Sequence, residues 1–251
     1  MSGHSKWHNI QGKKSVTDAK RGKLFTKIAK EIIVAAKRGG NPDHNPSLRS
    51  ALDKASEAGM PKDNIKRAIQ RGTGEIEGAT YEEAVYEGYG PAGTAVIVEA
   101  STDSKNRTIS ELKKIFSKHG GSLGEQGCVA WNFEREGEIV VEGGGKSLDD
   151  VLMEAADAGA SDVEADGDTF IVTTPPDVMH QVAEVLRKAG YKVKGTNLVY
   201  NAKSTVKVTG QDAVKVLKLQ NDLEDHDDVN NVYSNFEMDE SEMEKIASEL
   251  E

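Results

Sequence analysis

The chemistry most plainly written in this chain is electrostatic. Ten cations crowd residues 1–38: Lys6, Lys13, Lys14, Lys20, Arg21, Lys23, Lys27, Lys30, Lys37 and Arg38. They face two acids, Asp18 and Glu31, so this head carries a formal +8 in a 251-residue chain that sums to −10. A basic segment on an acidic protein is the charge asymmetry of a nucleic-acid ligand. Trp7 stands among the cations, flanked by His4 and His8. Cations that track phosphates, with a ring that can stack on a base, are the equipment for single-stranded or irregular RNA, and the cations also suit a DNA backbone.

One helix must carry most of these groups. At roughly 100° per residue from Ser15 to Arg38, Leu24, Phe25, Ile28, Ala29, Ile32, Ile33, Ala35 and Ala36 fall on one half of the wheel. Lys20, Lys23, Lys27, Lys30, Lys37 and Arg38 fall on the other, and Arg21 sits at the apolar edge, where its stem can snorkel out. Asp18 complements the positive helix end and Lys37–Arg38 the negative end, with Gly39–Gly40 offering a left-handed cap. A lysine face is ordinarily only a solvated face. Here the stripe lacks the i,i+4 glutamates that would neutralise it. A membrane-surface helix has the same amphipathicity, but the two helices that follow give the apolar half something to pack against.

Gly3-His4-Ser5-Lys6-Trp7, Lys14, Asp18-Ala19-Lys20-Arg21-Gly22-Lys23 and Phe25-Thr26-Lys27 closely resemble the start of the YebC/PmpR family, and Met60-Pro61-Lys62-Asp63-Asn64-Ile65 and Arg67-Ala68-Ile69 continue the likeness. The resemblance covers nearly the whole chain. It implies a three-domain protein. It also implies a regulator: members are commonly described as DNA-binding transcriptional regulators, and mitochondrial relatives as translational activators of cytochrome oxidase.

At 37% hydrophobic and 29% charged residues this is an ordinary globular composition. Its single cysteine, Cys128, permits no internal disulfide and reads as a small buried hydrophobe of a cytoplasmic protein. The N-terminus lacks an apolar signal region, and no apolar run approaches the ~20 residues of a membrane span. Asn45-Pro46 opens a second helix with Leu48, Ala51, Leu52, Ala55 and Ala58, and Pro61 a third that ends at Gly72 and shows Lys62, Lys66, Arg67 and Arg71 outward. The glycine-rich stretch 72–78 reads as a linker that leaves the head mobile. From Tyr81 the period shifts toward two. Expected next are a strand at 94–100, a polar loop at 101–107, a helix opened by the capping box Thr108–Glu111, and a strand at 129–133. A complete βαββαβ unit follows over 138–200, and the pieces at 205–208, 211–223 and 229–236 complete a second one with the earlier strand, helix and strand.

The fold class expected is therefore α+β: an N-terminal three-helix domain followed by two ferredoxin-like domains, one inserted in the other. The pattern alone also allows a single larger mixed sheet, and the family resemblance implies the nested plan. The expected spans are a basic helical domain with its arm at 1–78, one ferredoxin-like domain at 79–135 plus 203–238, the insert at 136–202, and an acidic, solvated tail at 239–251.

No catalytic constellation emerges. Gly143-Gly144-Gly145-Lys146-Ser147 lies between a strand and a helix like a phosphate loop, but the required earlier glycine is Val140, so it reads as a turn capped by Ser147. His4 and His8 lack further ligands, and Asp225-His226-Asp227-Asp228 reads as a charged helix end. The loop carrying Lys105, Asn106 and Arg107 precedes a helix N-terminus and is a possible second phosphate contact. The chain is thus expected to be a cytoplasmic, non-catalytic regulator without cofactor, metal, small-molecule substrate or membrane partner. Its expected partner is nucleic acid, either ribosomal RNA on the ribosome or promoter DNA. The contacts would be His4, Ser5, Lys6, Trp7, Lys13, Lys14, Lys20, Arg21, Lys23, Lys27, Lys30, Lys37 and Arg38. The excess of lysine favours phosphate tracking over base reading and tilts the expectation toward RNA. Reversing charge at Lys23, Lys27 and Lys30 would then abolish binding and spare the fold.

Overall fold

A computed structural model describes Trp7 and residues 18–249. Helix α1 spans Asp18–Ala36. Ile28, Ile32, Ile33, Ala35 and Ala36 are its buried stripe, packed against Leu48, Ala51 and Ala55 of α2 (Pro46–Glu57) and Ala68 of α3 (Lys62–Thr73). The first corner is held by Asn45. Its side-chain oxygen accepts the Leu48 amide (3.1 Å), while its Nδ2 donates to the Ala35 and Gly39 carbonyls (both 2.8 Å). One buried amide thus closes α1 and opens α2. The third helix does not stop at Gly72. A Cβ there would lie 2.5 Å from both Ala36 Cβ and the Ile33 carbonyl oxygen, so this glycine is where α1 and α3 cross closely. Gly74, at φ +83°, ends the helix instead.

After the loop at 74–80 come β1 (Glu82–Tyr89), β2 (Ala95–Thr102), α4 (Lys105–Lys118) and β3 (Ser122–Leu123). The sheet runs β3-β1-β2-β9, antiparallel throughout, with β9 (Val229–Ser234) arriving from the far end of the chain. Val96 and Val98 point toward α4 and α7 (Gly210–Glu224), whereas Ala95 and Ile97 pack with Val129, Phe133 and Tyr233. Burial on both faces explains why β2 reads as a continuous apolar run. Between β3 and α7 the chain builds a second sheet from β4 (Phe133–Glu142), β5 (Asp162–Asp166), β6 (Thr169–Thr174) and β7 (Lys192–Ala202), in the order β5-β6-β4-β7. Helices α5 (Leu148–Asp157) and α6 (Met179–Lys188) cover it, with Val151, Ala155, Val182 and Leu186 meeting Ile139, Val141 and Val172. Strand order and antiparallel pairing are those of a ferredoxin-like sandwich. The first sheet has the same spatial plan, one of its inner strands being β1. The chain is α+β, with helices first and the sheets after.

Several expectations fail for physical reasons. The piece at 205–208 does not join the first sheet; β8 (Val206–Lys207) pairs in parallel with β10 (Phe236–Glu237). Residues 129–132 are not a strand, because the Glu87 carboxylate takes the amides of Gly127, Val129 and Ala130, leaving them none for a ladder. A tight 3-10 turn over Ala130–Asn132 results, and β4 starts at Phe133, so the second sheet begins ahead of residue 136. Helix α4 opens at Lys105, three residues before the expected capping box, and Thr108 lies inside it, its hydroxyl oxygen 3.1 Å from the Ser104 carbonyl oxygen.

The acidic tail is not merely solvated. Helix α8 (Glu240–Glu249) buries Met243, Ile246 and Ala247 against Val208, Leu217, Phe236 and Trp7. Trp7 is itself 0% exposed, so it is a core residue and not a stacking ring. Its indole nitrogen has no hydrogen-bond partner among the described residues, so its role there is volume. Trp7→Ala is expected to lower unfolding free energy by about 3–5 kcal/mol in urea denaturation, with Trp7→Phe losing much less. Equal losses for the two would mean the nitrogen matters.

Candidate nucleic-acid interface

The middle of the lysine face of α1, at Lys27 and Lys30, lies against the rest of the protein. Lys30 is 8% exposed, and its ammonium donates to Asp228 Oδ1 (2.8 Å) and the Asp227 carbonyl (2.9 Å), with the Tyr81 ring 5.4 Å away. Asp228 Oδ2 also accepts from Arg107 (2.6 Å), Thr108 (2.9 Å) and Thr102 (3.3 Å). Burial works against the Asp228 charge, but donation from Lys30, Arg107 and Thr108 outweighs it and holds the carboxyl well below the usual range. Lys27 donates to the Glu224 carbonyl. Its burial lowers the ammonium pKa, against the pull of Asp225, Glu224 and Asp227. Lys23 lies 3.9 Å from Asp227 at the surface, Lys37 donates to the Tyr81 carbonyl (2.6 Å), and Arg38 pairs with Glu83 (3.3 Å).

This docking corrects two expectations. Lys27 and Lys30 are structural cations, not phosphate contacts, so reversing Lys30 would strand Asp228 and damage the fold. The head is also tied to the first sheet by named bonds on both sides of the 72–78 linker. Of the other expected contacts, Lys20 and Arg21 are exposed at the start of α1, while His4, Ser5, Lys6, Lys13 and Lys14 lie outside the described residues.

The possible second contact is also largely occupied. Lys105 and Arg107 stand in the first turn of α4 rather than in a loop. Lys105 pairs with Glu82 (2.9 Å) and Arg107 with Asp103 (2.9 Å) and Asp228, while Asn106 is exposed. Glu111, His226 and Asp228 bring ligand-type atoms within 4.8 Å of one another. They form a hydrogen-bond network: His226 Nδ1 accepts the Asp228 amide (3.1 Å), which leaves Nε2 to donate to Glu111 (2.9 Å), and the Asp228 oxygens are taken by four donors.

Besides the exposed start of α1, α3 presents an open basic surface. Lys62, Lys66, Arg67 and Arg71 are exposed and form no ion pair among the described residues. Arg67 and Arg71 also line a recess of about 320 Å³ between α1 and α3. Phe25 and Thr26 stand on its α1 side, Asn64 on its α3 side, and Tyr81 and Lys30 border it. The periodicity of α3 disclosed its cations. Periodicity places Phe25 only in the apolar half of α1, and Tyr81 gave no signal, because its place depends on how the first strand meets the bundle.

Comparison with known proteins agrees with this architecture. Residues 5–75 match the family model described as the TACO1/YebC protein N-terminal domain, and residues 81–236 match that of the TACO1/YebC second and third domain. The chain belongs to the TACO1/YebC family. A relative from Dictyoglomus turgidum is 51% identical over 249 residues, covering 98% of this chain and all of the relative. One from Thermotoga maritima is 52% identical over 253 residues and covers both chains fully. Both are described as a probable transcriptional regulatory protein. The crystal structure of a conserved hypothetical protein from Aquifex aeolicus is 46% identical, with a TM-score of 0.81 over 88% of this chain and 92% of that one. No helix among the described residues is long and apolar enough to cross a membrane.

Because the folded-state pKa of Asp228 is depressed, its stabilisation is full above the ordinary carboxylate range, near pH 4, and is lost as pH falls below it. Asp228→Ala leaves Lys30 buried without its partner. It should cost about 3–5 kcal/mol at pH 7 and less at pH 3, measured by denaturant titration. A loss independent of pH would show that the carboxylate charge is not the source.

Proposed function

We propose that this chain is a non-enzymatic regulator of gene expression that binds nucleic acid through α3 and the recess beside it, with structured RNA, as presented by the ribosome, as its target. The observation that carries the reading is the recess. It offers two guanidiniums, an amide and two aromatic rings on concave walls. An unpaired nucleotide can enter a hollow of this kind and be held by stacking, by an amide on a base edge and by arginine on phosphate. A regular duplex is a convex rod, and reading its base edges calls for a protruding helix instead. The lysines and arginines along α3 supply the salt-sensitive backbone attraction. The relatives' description as probable transcriptional regulatory proteins supports a role in gene expression.

Promoter DNA is the second reading. It is favoured by that same description and by the short connection at residues 58–61 between α2 and α3, which turns through Gly59 at φ +69° and leaves α3 cation-rich on its outer side. Co-sedimentation with ribosomes, set against titration on promoter-length duplex DNA across a salt series, separates the two. Ribosome association at physiological salt with weak, steeply salt-dependent DNA binding is the result expected. Sequence-dependent DNA binding without ribosome association would replace RNA by DNA. A protein-interaction scaffold would show no salt-dependent nucleic-acid affinity.

The double variant Arg67→Glu/Arg71→Glu should weaken RNA binding and lower the slope of log affinity against log salt by roughly 1–2, since about two phosphate contacts disappear. Unchanged affinity and slope would remove α3 as the contact surface.

A further inference from the structure

Trp131 is 68% exposed, although its neighbours in the same turn are buried: Val129 at 0%, Asn132 at 3% and Phe133 at 6%. The three-residue period of the Ala130–Asn132 turn sends Val129 and Asn132 inward together and leaves Trp131 facing out. The loop that presents it is firmly built. Glu87, 5% exposed, accepts the amides of Gly127 (2.7 Å), Val129 (2.9 Å) and Ala130 (2.8 Å). Gly124 fits only because it lacks a side chain, a Cβ there falling 2.5 Å from Cys128 Sγ. The Cys128 carbonyl accepts from two rings at once, Trp131 Nε1 (3.0 Å) and Tyr89 Oη (2.9 Å).

That shared acceptor decides what the ring can recognise. Both aromatic donors are consumed inside the protein, so the exposed surface of Trp131 offers its π-face and edge. A proline-rich peptide brings backbone carbonyls that need donors, and neither ring has one to give. A nucleobase needs only a face. The ring is held in place before binding, so stacking costs little ordering. A cation stands close by: the Lys203 amide donates to the Asn132 carbonyl (2.7 Å), and the Lys203 side chain is exposed and forms no ion pair among the described residues.

We propose that Trp131 is a stacking platform for an unpaired base of the bound RNA, with Lys203 beside it for the adjoining phosphate. The inference rests on the RNA reading above and adds a second contact to it. Tyr81, at the recess, immediately precedes β1, and Tyr89, beside Trp131, ends it. Eight strand steps separate them, about 26 Å at ~3.3 Å per residue. A single strand can run between two such points, whereas a rigid duplex would not deliver an unstacked base to both.

The test uses the full chain and short oligoadenosine and oligouridine strands, with a duplex RNA of the same length and a proline-rich peptide as controls. Trp131→Ala should lower single-strand affinity roughly 5- to 150-fold, the equivalent of ~1–3 kcal/mol per stacked base, and leave duplex affinity unchanged. Trp131→Phe should recover most of the loss. Single strands should protect wild-type fluorescence from acrylamide, because Trp7 is buried and the quenchable signal is that of Trp131. Unchanged single-strand affinity in Trp131→Ala, with wild type binding, overturns the platform alone. Equal losses on strand and duplex, or protection by the peptide and not by RNA, also overturn it. A wild-type protein that binds no RNA removes the parent reading with it. Thermal melts of the variants exclude unfolding as the cause of any loss.

Discussion

One buried carboxylate fixes how the helical head meets the rest of the chain. Asp228, at the entry to β9, gathers Lys30 from α1, Arg107 and Thr108 from α4, and Thr102 from the end of β2. Four donors from three elements, each more than a hundred residues away in sequence, therefore converge on two oxygens. A buried ion pair adds little net stability over an apolar substitute, because desolvation offsets its attraction. What it contributes here is arrangement. With Lys30 held on Asp228 and against the Tyr81 ring, α1 meets α3 beside it, and the recess between the two helices is bordered by Lys30 and Tyr81.

The same docking redistributes the charge. The cations of α1 look like a phosphate-tracking stripe until Glu224, Asp225, Asp227 and Asp228 are brought opposite them. Neutralised in this way, the middle of the stripe, at Lys27 and Lys30, becomes an internal joint, and α3 carries exposed cations that form no ion pair among the described residues. An acidic chain can thus hold a basic head against itself and still keep one basic face for a polyanion. The remaining acid excess suits solubility more than it opposes such a contact, because surface charges beyond a Debye length are largely screened.

The two tryptophans show how little residue type alone determines. Trp7 sits in the most basic part of the sequence and yet is enclosed by α7, α8 and β10. Trp131 lies in the middle of a stretch, 129–133, that reads as a strand and yet faces solvent. In the first case a tail that looks solvated supplies Met243, Ile246 and Ala247 as a wall. In the second, Glu87 captures the amides a ladder would have used, and the chain turns instead.

What the sequence by itself determined is local. Asn45-Pro46 announced the start of α2, the i, i+3, i+4 spacing announced the bundle, and the alternation over 138–200 announced a βαββαβ unit, because each depends on neighbours within a few residues. The family likeness was legible for the same reason, being carried by contiguous motifs. Tertiary structure alone decided which cations were free, where α4 began, what β8 paired with and which aromatic reached solvent. Lys30 and its acid are 198 residues apart in the chain and 2.8 Å apart in space. Coulomb and hydrogen-bond energies depend on the second distance, and no period or composition in the sequence encodes it.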